Sequence, residues 1–256
     1  MRRYALALML LTTAAASAAP TPHWAEVNGH RMYYETTGSG RPLLLLHGGG
    51  NSIAGSFPAQ IPFFAATHAI VAPEQVGHGH TPDVAGPLTY GGMAEDTAAL
   101  LKQLHLEDVD VIGWSDGGNV ALILAVRYPR LVRRLVVSGA NFAPEGQLAS
   151  DLTALRQRDA SMAKDRTTWK IDDKLNHMWA TSPTIDELSI PLLGSIRKPV
   201  IVMSGDHDAM LLDHTIALYH AIPGARLCVL PGTTHGTFHD RPEWVNAIAE
   251  AFFSEK

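Results

Sequence analysis

The chain has 256 residues, 46% of them hydrophobic, which is enough to bury a full core within one α/β domain. Its formal net charge is -5 and no block of Lys or Arg occurs, which excludes the basic face that a nucleic-acid partner needs. With a single cysteine, Cys228, there can be no intrachain disulfide, so the core must hold the fold together, and Cys228 in "ARLCVLPG" reads as a small buried hydrophobe.

The opening stretch, "MRRYALALMLLTTAAASAAPTP", carries Arg2 and Arg3, an uncharged run from Tyr4 to Ala16, and the small-x-small sequence Ala16-Ser17-Ala18. That order reads as a secretory signal peptide over residues 1–18, leaving a single domain over 19–256 in a periplasmic or secreted protein. The apolar run falls short of the roughly 20 residues that span a bilayer, so stable membrane anchoring is not expected.

After the leader, "WAEVNGHRMYYE" alternates around Asn28-Gly29, a hairpin signal. "PLLLLHGGG" is a short, wholly apolar strand ending in glycines, and "HAIVAPE" is a second. Met93 to Leu106 has helical spacing, with acids early and Lys102 and His105 late, as a helix dipole prefers. "VDVIG" is a strand, and a helix follows that stops before Pro129. "RRLVVSG" and "KPVIVMSGDHD" are strands, and "DHTIALYHAIPG" is a helix capped by Asp213. "ARLCVLPG" is a last strand before the closing helix "RPEWVNAIAEAFF", with Pro242 in its first turn.

Apolar strands alternating with helices predict an α/β fold, a mostly parallel sheet covered by helices on both faces. Ligands in such sheets bind beyond the carboxyl ends of the strands, so reactive side chains should follow strands in the sequence. Residues 141–198 break the rhythm, and a segment this long predicts a helical lid inserted between late strands. Its Trp169, Trp179, Met162 and Met178 are expected to face a pocket. The plainer alternative is an extra helical pair packed on the body.

The chemically suggestive residues all sit at strand ends. Ser115, in "GWSDGG", lies between Gly113 and Gly117 where a strand turns into a helix. So sharp a turn strains the serine's backbone and lifts its hydroxyl to the helix N-terminus. A serine needs a base, and the base an orienting acid. Of 13 histidines, His235 follows the last strand, whereas His239 enters the final helix and His30 and His220 read as surface residues. Asp206 and Asp208 both lie past the strand that ends at Ser204, and position alone leaves both open as the acid.

Jointly, "LLLLHGGG", "GHGHT", "GWSDGG", "PVIVMSGDHD" and "PGTTHGTFHDRPEWVNAIAEAF" resemble the α/β-hydrolase fold serine hydrolases, from Trp24 to Phe253. The elbow wording is similar to biphenyl-hydrolase-like and enol-lactonase-like members. The resemblance implies Ser115 as nucleophile, His235 as base and Asp208 rather than Asp206 as acid. It also implies an oxyanion hole from the N–H groups of Gly49 and Asp116, and a structural role for His47. Trp114 and Asp116, beside the nucleophile, are expected to border the substrate. One departure is "PEQVGHGHTPD", where Val76 replaces the family's usual arginine.

The implied activity is cleavage of carboxylic esters or related acyl bonds in a small molecule, without a cofactor or metal. A lactonase, a C–C bond hydrolase and a cofactor-free haloperoxidase or perhydrolase would carry the same residues, and a non-catalytic binding protein could share the fold. A metal site from His78, His80, His235 and His239 is disfavoured because zinc spacing on one element is lacking. The Asp116 carboxylate has two readings. It is either a helix-end charge, or the edge of an acyl pocket that selects cationic substrates. The oligomeric state is not legible in the sequence. The leader predicts that protein recovered from the periplasm or medium begins at Ala19. Mass spectrometry checks this, and an exported chain still starting at Met1 contradicts it.

Overall fold

Both residues of the Asn28-Gly29 turn take positive φ, 45° and 90°, as a two-residue I′ turn requires. The turn folds β1 (Thr21–Val27) back on β2 (His30–Thr37), antiparallel, with Val27 opposite His30. This is the start of a computed structural model that describes residues 19–255; the expected leader, residues 1–18, lies outside the described residues.

The chain continues through β3 (Arg41–Leu46), the short helices α1 (Ile53–Ser56) and α2 (Gln60–Phe64), and β4 (His68–Pro73). Next come α3 (Tyr90–Gln103), β5 (Val109–Trp114), α4 (Asp116–Arg127) and β6 (Val132–Ser138). Helices α5 (Ala149–Ser161), α6 (Ile171–Thr181) and α7 (Ile190–Leu193) interrupt the alternation. Then β7 (Val200–His207), α8 (Leu212–Ala221), β8 (Arg226–Thr234), α9 (Thr237–Asp240) and α10 (Pro242–Phe253) complete it.

The strands form one sheet in the order β1-β2-β4-β3-β5-β6-β7-β8, parallel from β4 to β8 and antiparallel at β1 and β2. Strand periodicity divides the core in two. Leu44, Leu46, Val111 and Val137 face a cluster completed by α3, α4 and α8. Leu43, Leu45, Ile112 and Val136 face the opposite cluster, with α1, α2, α9 and α10. Burying each such leucine is worth about 1.5–3 kcal/mol, and truncating one to alanine costs about 2–5 kcal/mol. Because β3 and β5 are adjacent while the connections from them run to opposite sides, their carboxyl ends form the switch point where α/β sheets bind ligands.

Three local expectations need correction. Helix α3 starts at Tyr90 rather than Met93, because the Thr89 hydroxyl caps it by accepting from Gly92 N–H. Gly91 and Gly92, poor helix formers, hide that start. Asp213 is not the cap of α8: Leu211 holds the cap position, fixed by its N–H donating to Gly146 O, and Asp213 lies in the first turn. His239 belongs to the separate helix α9, not to the closing helix.

The segment between β6 and β7 is helical, with α5 packed against α6. Of its four singled-out residues, only Trp179 lines the cavity at the sheet's carboxyl edge. Met178 is buried in the core, while Trp169 packs on His177 and Arg166, and Met162 lies beside it away from the cavity.

Candidate active site

Ser115 sits between β5 and α4 with φ 55° and ψ -119°, a conformation that costs a non-glycine residue about 1–3 kcal/mol. Close packing explains its flanking glycines. A Cβ on Gly113 would lie 2.4 Å from Gly117 O, and one on Gly117 would lie 2.0 Å from Leu46 O. The turn is therefore pressed against itself and against the end of β3. Ser115 N–H donates to Ser138 O at 2.8 Å, and Ser115 O accepts from Gly118 and Asn119 N–H. These bonds hold the strain in place.

His235, in the loop after β8, brings Nε2 to 2.9 Å from Ser115 Oγ and Nδ1 to 2.6 Å from Asp208 Oδ1. Ser115, His235 and Asp208 thus form one hydrogen-bonded chain from three strand ends. Trp114 Nε1–H donates to His235 O at 2.8 Å and fixes the loop. Burial works to raise the Asp208 pKa. Hydrogen bonds from His235 and from the Met210 and Gly205 N–H groups outweigh it and hold the carboxyl below its usual range. An ionised Asp208 selects the imidazole tautomer with the proton on Nδ1, leaving Nε2 to accept from the serine hydroxyl.

Asp206 faces away from the histidine. Its Oδ1 accepts from Thr233 N–H at 3.1 Å, and bonding to the backbone of Gly232, then to His207, brings its pKa down to about 2. The carboxylate serves its own loop. His78, His80 and His239 do not join this hydrogen-bonded chain. His78 is buried with Nδ1 on Val76 O, His80 pairs with Glu74, and His239 meets the Trp114 ring edge-on at 5.3 Å. No group of three or more side chains suited to a metal ion occurs among the described residues. Of the expected surface histidines, His220 is exposed, whereas His30 is half-buried, 3.4 Å from Asp96.

His47 ties down the glycine loop after β3. Its Nδ1–H donates to Gly48 O at 2.8 Å and its Nε2 accepts from Gln75 N–H at 2.9 Å. The acceptance at Nε2 requires the neutral ring, and burial, helped by His78 nearby, pushes its pKa down to about 3. Gly49 and Asp116 line a cavity of about 260 Å³ in front of Ser115, with Tyr90, Trp114, Trp179 and Met210. Asp116 opens α4, so its N–H lacks an intrahelical carbonyl. Among the described residues no loop or cap bond engages the N–H of Gly49 or of Asp116.

The Asp116 side chain is buried rather than solvated at a helix end. Its Oδ1 accepts from Tyr90 OH at 2.8 Å, and Trp179 Nε1–H bonds Oδ2 at 2.9 Å and Oδ1 at 3.2 Å. Burial raises its pKa, and the Trp179 and Tyr90 bonds oppose that rise. Sequence reasoning missed Tyr90 and the cavity-lining Asn141, Gln147 and Met210. None carries a local signal beyond Asn141 and Gln147 falling in the interrupted segment.

A model of the alpha/beta hydrolase family matches residues 43–248. The chain is 34% identical to a 2-hydroxymuconate semialdehyde hydrolase of Pseudomonas putida over 265 residues, covering 89% of this chain and 92% of that protein. It is 27% identical to the serine hydrolase BPHL of Homo sapiens over 246 residues, 88% of this chain and 84% of that one. Among solved structures, the enol-lactonase of Burkholderia xenovorans LB400 superposes with a TM-score of 0.76 at 20% identity, covering 91% of this chain and all 100% of that one, a likeness of fold.

Histidine burial gives this site a pH signature. In the unfolded chain His47 titrates near 6.5, and in the fold at about 3. His214, half-buried and accepting from Phe142 N–H, drops to about 4. Between those values and pH 6.5 the unfolded chain binds more protons, so stability falls as pH falls through that window. Urea midpoints measured from pH 7 to pH 4 should decline, and His47→Gln should flatten the decline. An unaltered slope in the variant contradicts the assignment.

Proposed function

The chain belongs to the alpha/beta hydrolase family, and on that premise we propose that it is a serine hydrolase of carboxylic esters or closely related acyl bonds in small molecules. The observation that carries the reading is the hydrogen-bonded chain Ser115–His235–Asp208 at the mouth of a cavity lined by Gly49 and Asp116.

In this scheme Ser115 Oγ attacks the acyl carbon while its proton passes to His235 Nε2. The carbonyl electron pair moves onto oxygen, where the two N–H groups receive the charge. Asp208 keeps the imidazole oriented and stabilises its charged form. Collapse of the intermediate returns the pair to the carbonyl and expels the alkoxide, which takes the proton from His235. Water then repeats the sequence on the acyl-enzyme, with His235 as base, and releases the acid. Side chains and water handle every proton and electron pair, so the scheme needs no cofactor.

The cavity lining favours esters and lactones over a substrate that itself carries a carboxylate, such as the one in the Pseudomonas relative's name. Among the described residues no Lys or Arg lines it, and Asp116 does. Residues 141–198 act as the lid, with Trp179, Asn141 and Gln147 facing the cavity. The leader over residues 1–18 supports an exported enzyme.

Ser115→Ala should abolish nearly all turnover of para-nitrophenyl butyrate, by roughly 10⁵–10⁶-fold, without unfolding the protein. A fluorophosphonate should label Ser115 alone. Labelling elsewhere, or an active alanine variant, defeats the mechanism. Butyrate binding without turnover by the wild type points to a receptor instead. Asp208→Asn should lower kcat by about 10⁴-fold, and Asp206→Asn far less, since its carboxylate bonds its own loop. Steady-state kinetics of the two variants decide it, and a larger loss in Asp206→Asn reverses the assignment.

A further inference from the structure

We propose that the Asp116 carboxylate is a positioning residue that bonds helix α6 and helix α3 to the nucleophile turn, so that the Trp179 ring becomes a fixed wall of the acyl cavity. The inference rests on the serine-hydrolase reading above.

A carboxylate in the first turn of a helix is ordinarily satisfied by water and the helix dipole. The Asp116 carboxylate is instead buried, and its bonding partners come from distant elements. Tyr90 is the first residue of α3, and Trp179 lies near the end of α6. Side-chain donors thus occupy both oxygens, which leaves the group poorly suited to wait for a cationic substrate. A carboxylate taken out of water is held strongly by such donors, because losing one exposes a poorly compensated charge.

The same carboxylate packs on the glycine loop. A Cβ on Gly49 would lie 2.0 Å from Asp116 Oδ2 and 2.9 Å from Trp179 Cζ2. Only a glycine lets the carboxylate and the indole edge reach this place. Three segments therefore meet at one point: the loop after β3, the turn after β5, and α6 of the inserted segment. The rest of α6 is held compatibly. Lys174 Nζ bonds both Asp83 oxygens at 2.8 and 2.9 Å, Leu175 and Met178 are buried, and Gln147 Nε2–H donates to Trp179 O at 2.7 Å. Among the described residues, Trp179 Nε1 is the one polar side-chain group that joins this helix to the residue after the nucleophile.

A wall that touches the acyl group in both ground and transition states contributes uniform binding, which appears in KM rather than kcat. Trp179→Phe keeps a ring in place and removes the donor. We expect its KM for para-nitrophenyl butyrate to rise about 5- to 20-fold while kcat falls by less than about threefold. Amide hydrogen exchange across residues 171–181 should accelerate in the same variant, a readout that does not depend on turnover. If Trp179→Phe does not fold, Tyr90→Phe removes the other donor and should move both readouts in the same direction.

Either readout left unmoved overturns the proposal. So does a wild-type preference for α-amino esters over neutral esters of equal size that Asp116→Asn abolishes while exchange across 171–181 stays the same. Loss of the underlying reading looks different. A wild type that neither turns over esters nor takes fluorophosphonate at Ser115 ends the hydrolase assignment, and the exchange measurement still decides whether Asp116 holds α6.

Discussion

The close contact of Gly113, Gly117 and the end of β3 is the constraint on which the rest depends. It forces the chain to reverse within two residues of Trp114 and leaves Ser115 in a strained backbone conformation. Nothing local relieves that strain. It persists because β3 and β5 are hydrogen-bonded neighbours, with Leu43 to Leu46 fully buried between two helical layers. The burial of one leucine, about 1.5–3 kcal/mol, is comparable with the strain of about 1–3 kcal/mol. A sheet with dozens of such residues holds the turn without difficulty.

Once the turn is fixed, electrostatics sort the polar groups into distinct states. His47 is driven neutral by burial and uses both ring nitrogens to pin the glycine loop. Asp208 is also buried, yet donors from His235 and two backbone N–H groups hold it ionised. Similar desolvation produces opposite outcomes because the number and kind of donors differ. Asp206, two residues away, needs no burial at all, since bonds from the Gly232 backbone and from His207 lower its pKa.

Those differences also explain what was legible in the sequence. Strand interiors announced themselves by unbroken apolar runs, so Ser115 and His235 could be placed by the strand ends they follow. Residues that lie at one strand end could not be told apart that way. Asp206 and Asp208 both follow Ser204, and an irregularity in the β7–β8 pairing between Gly205 and His207 sends one carboxylate to Thr233 and the other to His235. Resemblance, not periodicity, separated them. The Asp116 network was invisible for another reason. Its partners are 26 and 63 residues distant, one behind a pair of glycines and one inside the interrupted segment. Long-range polar bonds leave no period in the chain.

A carboxylate immediately after the proposed nucleophile is at first sight a poor choice, since negative charge there would oppose the charge that the proposed mechanism develops on the substrate oxygen. The surroundings lessen the conflict on several fronts. Burial raises the Asp116 pKa and so favours the uncharged form. Where the group is ionised, Tyr90 and Trp179 donate into it, and these bonds hold the charge on the side chain's oxygens. The same bonds stop the side chain from swinging over the cavity mouth, where it would compete for the Gly49 and Asp116 N–H groups. In the proposed scheme, holding the carboxylate still therefore does two things at once: it keeps the wall of the cavity in place and keeps an anion out of the site proposed to receive one.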